Sequence, residues 1–539
     1  MPAVFIRADA LKCINPLCTP LMTDMYQLTM AYAYWQAGRA EEPAVFDLFF
    51  RKNPFEGEFT VFGGLGECIA LISSFSFSDT DIEYLRGVMT GIDQGFFDWL
   101  IKADCSKVKV YAIREGTIVF PRIPLLRIEG PLAVAQLLET PLLNLVNFPS
   151  LMATNAARFR LAAGADKKLL EFGLRRAQGP DGGLSASRYA YMGGFDATSN
   201  VTAGKFLGLP VSGTHAHAFV QAYSSCEQIR QRCVDGKDVV ALAELYRRRL
   251  GYETSNIGEL AAFCAYAIAF PAGFLALVDT YDTLQSGIPN FIAVAFALDD
   301  AGHRAVGVRL DSGDLAYLSK EVRHMFEVAA VAEARPWLAK VTIVASNDIN
   351  EKASVLHALD EQGHCVDTFG IGTHLVTCQA QPALGCVYKL VEISGSPRMK
   401  LSENKNKVTV PGRKCAYRLF GADGTQLLDL MQHADDPPPR AGEPVLCKHP
   451  FEATVRAMVT ASRVMPLHQL VWDGAGGGVV EPLPTIHEVR AHVMKGMASL
   501  REDVKRSLNP TPYKVSLSVR LFAFLHELWE HEAPIKALS

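Results

Sequence analysis

Short apolar runs and stretches of helical length take turns along residues 274–373. Residues 274–278 (FLALV) form a first run, and Pro289 then opens an apolar helix through Ala297 that stops before Gly302. Residues 305–310 (AVGVRL) predict a second strand, followed by Asp311-Ser312-Gly313-Asp314 and a helix from about Leu315. Residues 340–345 (KVTIVA) predict a third, followed by Ser346-Asn347-Asp348 and a helix that Gly363 can close. A fourth strand is predicted at 366–371, more polar because it contains Asp367 and Thr368. The first three runs are continuous rather than alternating, as in parallel strands buried on both faces. Upstream, 169–174 and 211–217 predict further strands of the same sheet.

Each run ends in polar or glycine residues: Asp279-Thr280, Asp311, Ser346-Asn347 and Gly370-Ile371-Gly372-Thr373. Polar chemistry at the carboxyl ends of successive strands is how a βα barrel builds its active site. Helix capping accounts for one or two of these positions. It does not account for two glycines in Gly-Ile-Gly-Thr. The expected fold is therefore α/β, an irregular βα barrel over 151–384. Residues 20–150 differ, mixing a helix over 25–37 closed by Gly38, alternating strands such as 108–113, and many turns. They predict an N-terminal α/β domain, completed by about 385–435, where a strand at 387–393 precedes a basic stretch at 398–414. Residues 435–444 (DDPPPRAGEP) have linker composition, and 474–478 form a loop in an expected C-terminal appendage over 436–539.

Composition narrows the chemistry. A chain of 539 residues with 49% hydrophobic content can bury one large core and at least one smaller one. A net charge of −4 lacks the basic excess of a nucleic-acid binder, so small-molecule chemistry is the default. The 12 cysteines are scattered and contain no C-x-x-C pair, which predicts reduced thiols in a cytosol rather than disulfides or structural zinc. No basic head precedes an apolar run at the N-terminus, and Ala537-Leu538-Ser539 is not a peroxisomal tripeptide. Residues 260–278 carry no charge and approach the length of a bilayer span. Pro271 and Gly273 interrupt them, however, predicting a buried helix ending near Phe270, a turn, and a core strand. No membrane association is expected.

Four clusters carry candidate chemistry. In Gly213-Thr214-His215-Ala216-His217, a strand would place both histidines on one face. Two histidines fall short of the three protein ligands of a catalytic zinc. In Arg309-Leu310-Asp311-Ser312-Gly313-Asp314, a cation at the end of a buried strand requires a carboxylate or phosphate partner, the protein's own or a ligand's. Asp311 and Asp314 can hold sugar hydroxyls directly, or magnesium through water. Gly370-Ile371-Gly372-Thr373 can turn backbone N–H groups inward as an anion nest, late in the barrel where phosphates commonly sit. Arg398, Lys400, Lys405, Lys407, Arg413 and Lys414 form either a solvated basic loop or an electrostatic lid over a polyphosphate. Gly63-Gly64-Leu65-Gly66 does not meet the dinucleotide fingerprint.

Thr23-Asp24-Met25-Tyr26-Gln27, Phe49-Phe50-Arg51-Lys52-Asn53-Pro54-Phe55, the Gly-Thr-x-Ala-His motif ending at His217, and the clusters at 309–314 and 370–373 occur in order. Together, over about 20–520, the chain resembles the nicotinate phosphoribosyltransferase family, in its eukaryotic form. The resemblance implies a type II phosphoribosyltransferase barrel that joins nicotinate to 5-phosphoribosyl 1-pyrophosphate. The products are nicotinate mononucleotide and pyrophosphate, in the first step of NAD biosynthesis from nicotinate. It implies coupling to ATP as co-substrate through a phosphohistidine at His217, and hence classification as a carbon–nitrogen ligase. Phe172 and, from the partner subunit of a homodimer with shared sites, Tyr26 would stack on the pyridine ring. Arg309, Thr214 and Ser199 would face its substituent. Arg175, Asp311, Asp314, Gly370, Gly372, Thr373 and Lys400 would hold phosphoribosyl pyrophosphate. Magnesium, or manganese in its place, would enter with the phosphates rather than on a dedicated protein ligand set. His215 departs from the pattern, since varied residues stand there in the family.

Two rivals follow from the same residues. A nicotinamide-using relative would carry an acid at the position of Ser199, where a carboxylate accepts from an amide and repels nicotinate. A barrel metallohydrolase would use His215, His217, Asp279 and Asp311 as ligands.

Overall fold

The computed structural model describes residues 13–346, 349, 356–402, 404 and 407–533. Two compact units make up the chain: Met1–Asn155 with Ala380–Ser539, and Ala156–Gln379.

The second unit is built on six parallel strands: β1 (Lys168–Glu171), β2 (Ala197–Thr198), β3 (Leu275–Leu277), β4 (Gly307–Leu310), β5 (Thr342–Ala345) and β6 (Thr368–Ile371). Their order is β3-β4-β5-β6-β1-β2, with every pairing parallel. Helices alternate with them. Ile257–Ala269, Ile288–Asp300 and Leu315–Ala332 fill the intervals that the apolar pattern assigns to helices. Ile288–Asp300 is buried at every position through Leu298, so it reads as apolar all round rather than on one face. The uncharged segment 260–278 is the end of one helix, a single turn at Pro271–Gly273, and β3. Among the described residues, no helix is long and apolar enough to cross a membrane.

The strand expected at 211–217 does not form. Val211 makes one parallel bridge to Thr198, residues 212–216 are irregular, and His217 begins the helix His217–Gln221. The segment still lies between the two edge strands of the sheet. Thr198 N–H donates to the carbonyl of Pro210, and Ser212 N–H donates back to Thr198. At the other edge, Leu277 N–H donates to Nε2 of His215 at 3.3 Å. One backbone segment, partly paired through a side chain, thus closes the ring.

In the first unit, a helix at Met25–Gln36 precedes a sheet whose neighbouring strands Cys386–Ile393, Pro43–Phe50, Leu126–Pro131, Lys109–Ile113 and His468–Asp473 pair antiparallel. The 436–539 stretch, expected as an appendage, belongs to this unit. Its strand His468–Asp473 takes the open edge of Lys109–Ile113, where unpaired backbone groups would otherwise remain. A second sheet runs Arg456–Thr460, Pro444–Lys448, Lys514–Leu517, Gln426–His433, Lys414–Phe420, Arg463–Pro466. Arg418 is buried on it and grips Asp429 with two parallel bonds of 2.8 Å, the geometry that best compensates a buried cation.

Candidate active site

The carboxyl ends of β3 and β4 bring together residues from four of the polar strand ends and loops. His217 opens the helix His217–Gln221, with Nδ1 3.1 Å from the hydroxyl of Thr280. Its Nε2 lies 3.9 Å from Asp279 Oδ1 and 3.9 Å from Asp311 Oδ2, an electrostatic distance rather than a hydrogen bond. Asp279 is held by Asp311 N–H at 3.2 Å and the Ser312 hydroxyl at 2.5 Å, both donating to Oδ2. Its buried Oδ1 has no partner. Asp311 Oδ1 accepts from the Ser346 hydroxyl at 2.5 Å, leaving Oδ2 turned towards the imidazole.

Arg309 lies on β4, and its Nη1 donates to Thr214 Oγ1 at 2.8 Å. Its Nε is buried without an acceptor. Burial pulls the guanidinium pKa down from its usual value; Asp311 and Asp279 oppose that pull, and Arg175 adds to it. A cation so placed retains unused donors, and a planar anion can satisfy them.

Phe172 follows β1 directly, and Gly370 explains how its ring is accommodated. A Cβ on Gly370 would sit 2.6 Å from that ring. Gly370 lies within β6, in register with Leu170. Close approach of the ring requires a glycine here. Gly372 and Thr373 follow the strand, and Thr373 opens the short helix Thr373–Val376 with its side chain exposed.

Ser199 comes just after β2, half-buried, its N–H donating to the carbonyl of Glu171. The Glu171 carboxylate itself is fully buried. It accepts from Gly173 N–H, from the Ser187 hydroxyl at 2.8 Å and from the Thr198 hydroxyl at 2.5 Å. It thereby fixes the turn that carries Phe172 and the strand end that carries Ser199. Arg175 is exposed in the turn Leu174–Arg176. Asp314 caps the helix Leu315–Ala332, accepting from Tyr317 N–H at 3.0 Å.

The two histidines of the 213–217 cluster do not share a face. His215 is buried against Phe219, Phe263 and Tyr266. Burial lowers its pKa to about 4. Only His217 faces the carboxylates. Among the described residues, no group of three or more His, Cys, Asp or Glu gathers as a metal site.

Tyr26 and Lys400 belong to the first unit. Tyr26 is the second residue of its helix and 48% exposed. Lys400 is exposed, with Nζ donating to the carbonyl of Leu401. The basic run divides: Lys414 is buried on Asp47 and Arg413 grips Asp435, so both are structural. Lys405, like Asn347 and Asp348, lies outside the described residues. The Gly63-Gly64-Leu65-Gly66 turn is likewise occupied from within, since the Glu115 carboxylate accepts from Gly64 and Gly66 N–H.

Comparison with known proteins agrees over nearly the whole length. Residues 21–147 match the nicotinate phosphoribosyltransferase N-terminal domain, 283–433 the nicotinate phosphoribosyltransferase family, and 413–525 the corresponding C-terminal domain. Nicotinate phosphoribosyltransferase 2 of Arabidopsis thaliana is 53% identical over 540 residues, covering 97% of each chain. The Homo sapiens nicotinate phosphoribosyltransferase is 47% identical over 529 residues, covering 96% of this chain and 97% of that one. The crystal structure of human nicotinic acid phosphoribosyltransferase superposes with a TM-score of 0.84 at 45% identity, covering 94% of this chain and 99% of the human one. A nicotinate-nucleotide pyrophosphorylase from Pyrococcus furiosus shares the fold, with a TM-score of 0.59 at 22% identity over 93% of this chain and 99% of that one. With its α/β barrel of the type II phosphoribosyltransferase kind, this chain belongs to the nicotinate phosphoribosyltransferase family.

Proposed function

We propose that this chain joins nicotinate to 5-phosphoribosyl 1-pyrophosphate, releasing nicotinate mononucleotide and pyrophosphate, and couples the reaction to ATP hydrolysis through a phosphohistidine at His217. The observation that carries the substrate assignment is Arg309. It is a partly buried cation hydrogen-bonded to a hydroxyl rather than to a carboxylate, and its buried Nε keeps an unused N–H. The nicotinate carboxylate supplies what it lacks.

The roles of the side chains are those that the family resemblance implies. Phe172 stacks on the pyridine ring, with Tyr26 of the partner subunit on the opposite side of a shared site. Thr214 and Ser199 line the substituent. Arg175, Asp311, Asp314, Gly370, Gly372, Thr373 and Lys400 hold phosphoribosyl pyrophosphate, and Gly370 also leaves room for Phe172. Bond formation passes through a cation-like ribose, so rate comes from holding the leaving pyrophosphate and keeping the ring nitrogen in line with the anomeric carbon. At His217, a neutral imidazole with its proton on Nδ1 donates to Thr280 and presents the Nε2 lone pair. That nitrogen attacks the terminal phosphorus of ATP as ADP leaves. Asp279 and Asp311 stabilise the cationic character that develops on the ring.

Magnesium fits this set of residues. The unpartnered Oδ1 of Asp279 and Oδ2 of Asp311 are hard oxygen donors, and magnesium is commonly held by one or two carboxylates plus phosphates and water. When bound, it would neutralise phosphate charge. We place the enzyme in the cytosol as a homodimer, at the entry of nicotinate into NAD biosynthesis.

The test is to incubate the purified chain with nicotinate, phosphoribosyl pyrophosphate and magnesium, with and without ATP. Nicotinate mononucleotide should form in both, faster with ATP. Product from nicotinamide at an equal or greater rate would contradict the substrate assignment.

A further inference from the structure

The ring of parallel strands has a seam. At one edge, β2 pairs through backbone groups with residues 210–212. At the other edge, Leu277 N–H of β3 points to the same segment and meets a side chain, the Nε2 of His215. In a complete parallel ladder that N–H would donate to a strand carbonyl. Here an irregular segment, unable to supply one in register, supplies an imidazole nitrogen instead.

We propose that His215 is a positioning residue: its imidazole stands in for a missing strand carbonyl at the barrel seam and so fixes Thr214 and His217 against β3 and β4. Thr214 immediately precedes it and bonds Arg309; His217 follows by two and meets Thr280, Asp279 and Asp311. Asp279 and Thr280 are two and three residues beyond Leu277 on the same strand end. A single 3.3 Å bond thus ties the segment bearing the imidazole to the strand bearing its carboxylate and hydroxyl partners.

The surroundings make the bond dependable. Nε2 accepts, so the ring's proton resides on Nδ1 and the ring is neutral, and burial keeps it neutral down to about pH 4. Phe219, Phe263 and Tyr266 enclose it on several sides, with Tyr266 edge-on at 4.8 Å. The ring is thereby locked at the cost of a rotamer that an isolated histidine would explore.

This inference rests on the reading of His217 as the phosphate acceptor, and the test separates the two. His215→Gln keeps an acceptor near the position of Nε2, whereas His215→Phe fills the aromatic pocket without one. Both variants, checked for wild-type secondary structure and thermal midpoint, are compared with wild type for acid-labile phosphate incorporation from γ-labelled ATP and for the KM of nicotinate. The expected result is near wild-type labelling in His215→Gln and labelling slowed by about tenfold or more in folded His215→Phe, since small misplacements of reacting groups cost that much. Wild-type labelling by His215→Phe would overturn the inference. So would equal loss in both variants together with a lowered thermal midpoint, which would reduce His215 to core packing. If wild type itself takes no label, the reading of His217 fails. The inference is then decided by the nicotinate KM, raised in His215→Phe if Thr214 is displaced and unchanged if it is not.

Discussion

Arg309 donates a 2.8 Å hydrogen bond to the hydroxyl of Thr214 while its own Nε stays buried and unpartnered. The hydroxyl orients the guanidinium without neutralising it, so the site keeps a cation ready for a planar anion.

Replacing Arg309 with Ala should therefore weaken nicotinate use by about ten- to 150-fold. That is the range expected from losing a charge-assisted, two-pronged bond worth roughly 1.5–3 kcal/mol. The sugar substrate should be affected much less. Ser199→Asp should narrow or reverse the preference for nicotinate over nicotinamide, because the new carboxylate repels one and accepts from the other. Product formation from both rings, with phosphoribosyl pyrophosphate saturating, reads both effects. An unchanged ratio in Arg309→Ala would place the carboxylate elsewhere.

Glu259 supplies a pH dependence of stability. It is fully buried on the helix Ile257–Ala269, and burial raises its pKa from 4.5 to about 7, with Asp279 and Asp282 pushing the same way. The folded state then binds its proton more tightly than the unfolded state between those two values. Stability contributed by this residue is present below about pH 4.5 and declines as pH rises to about 7, by at most about 1.4 kcal/mol per pH unit. Glu259→Gln, which can still accept from Ser286 and Asn290, removes the titration. Urea midpoints should show the variant gaining on wild type between pH 5 and 8. A constant difference across that range would show that Glu259 does not titrate there.

Tyr26 tests the shared site. A Tyr26→Ala chain mixed with a His217→Ala chain should recover part of the ATP-coupled activity that each variant alone lacks, because one hybrid site inherits both intact residues. Verified heterodimers with no recovery would place Tyr26 in the site of its own subunit, or outside the site.

Much of the barrel was legible because parallel strands buried on both faces write themselves as unbroken apolar runs. FLALV, AVGVRL and KVTIVA all became strands, and their polar ends gather at the candidate site. The 211–217 segment misled because its apolar start looks like a strand, while closure at His215 depends on a side-chain acceptor that no periodicity records. The second demand on Gly370 was not legible, since a glycine that clears space for a ring 198 positions earlier in the chain has no local mark. Thr280 and Ser312 were read among the polar strand ends without a role of their own, and Glu171 was not singled out. The signal for Glu171 was present: a carboxylate closing an apolar strand has to be buried, and hence must collect donors. Arg413 and Lys414 looked like part of a lid because their acids, Asp435 and Asp47, are distant in sequence or on another strand.

The most direct measurement is acid-labile phosphate incorporation from γ-labelled ATP into wild type and His217→Ala, alongside ATP-independent formation of nicotinate mononucleotide. Wild type should take up the label and His217→Ala none, while the variant retains some ATP-independent product because its ring and sugar sites are intact. Equal labelling of the two proteins would contradict the account and move the nucleophile away from His217.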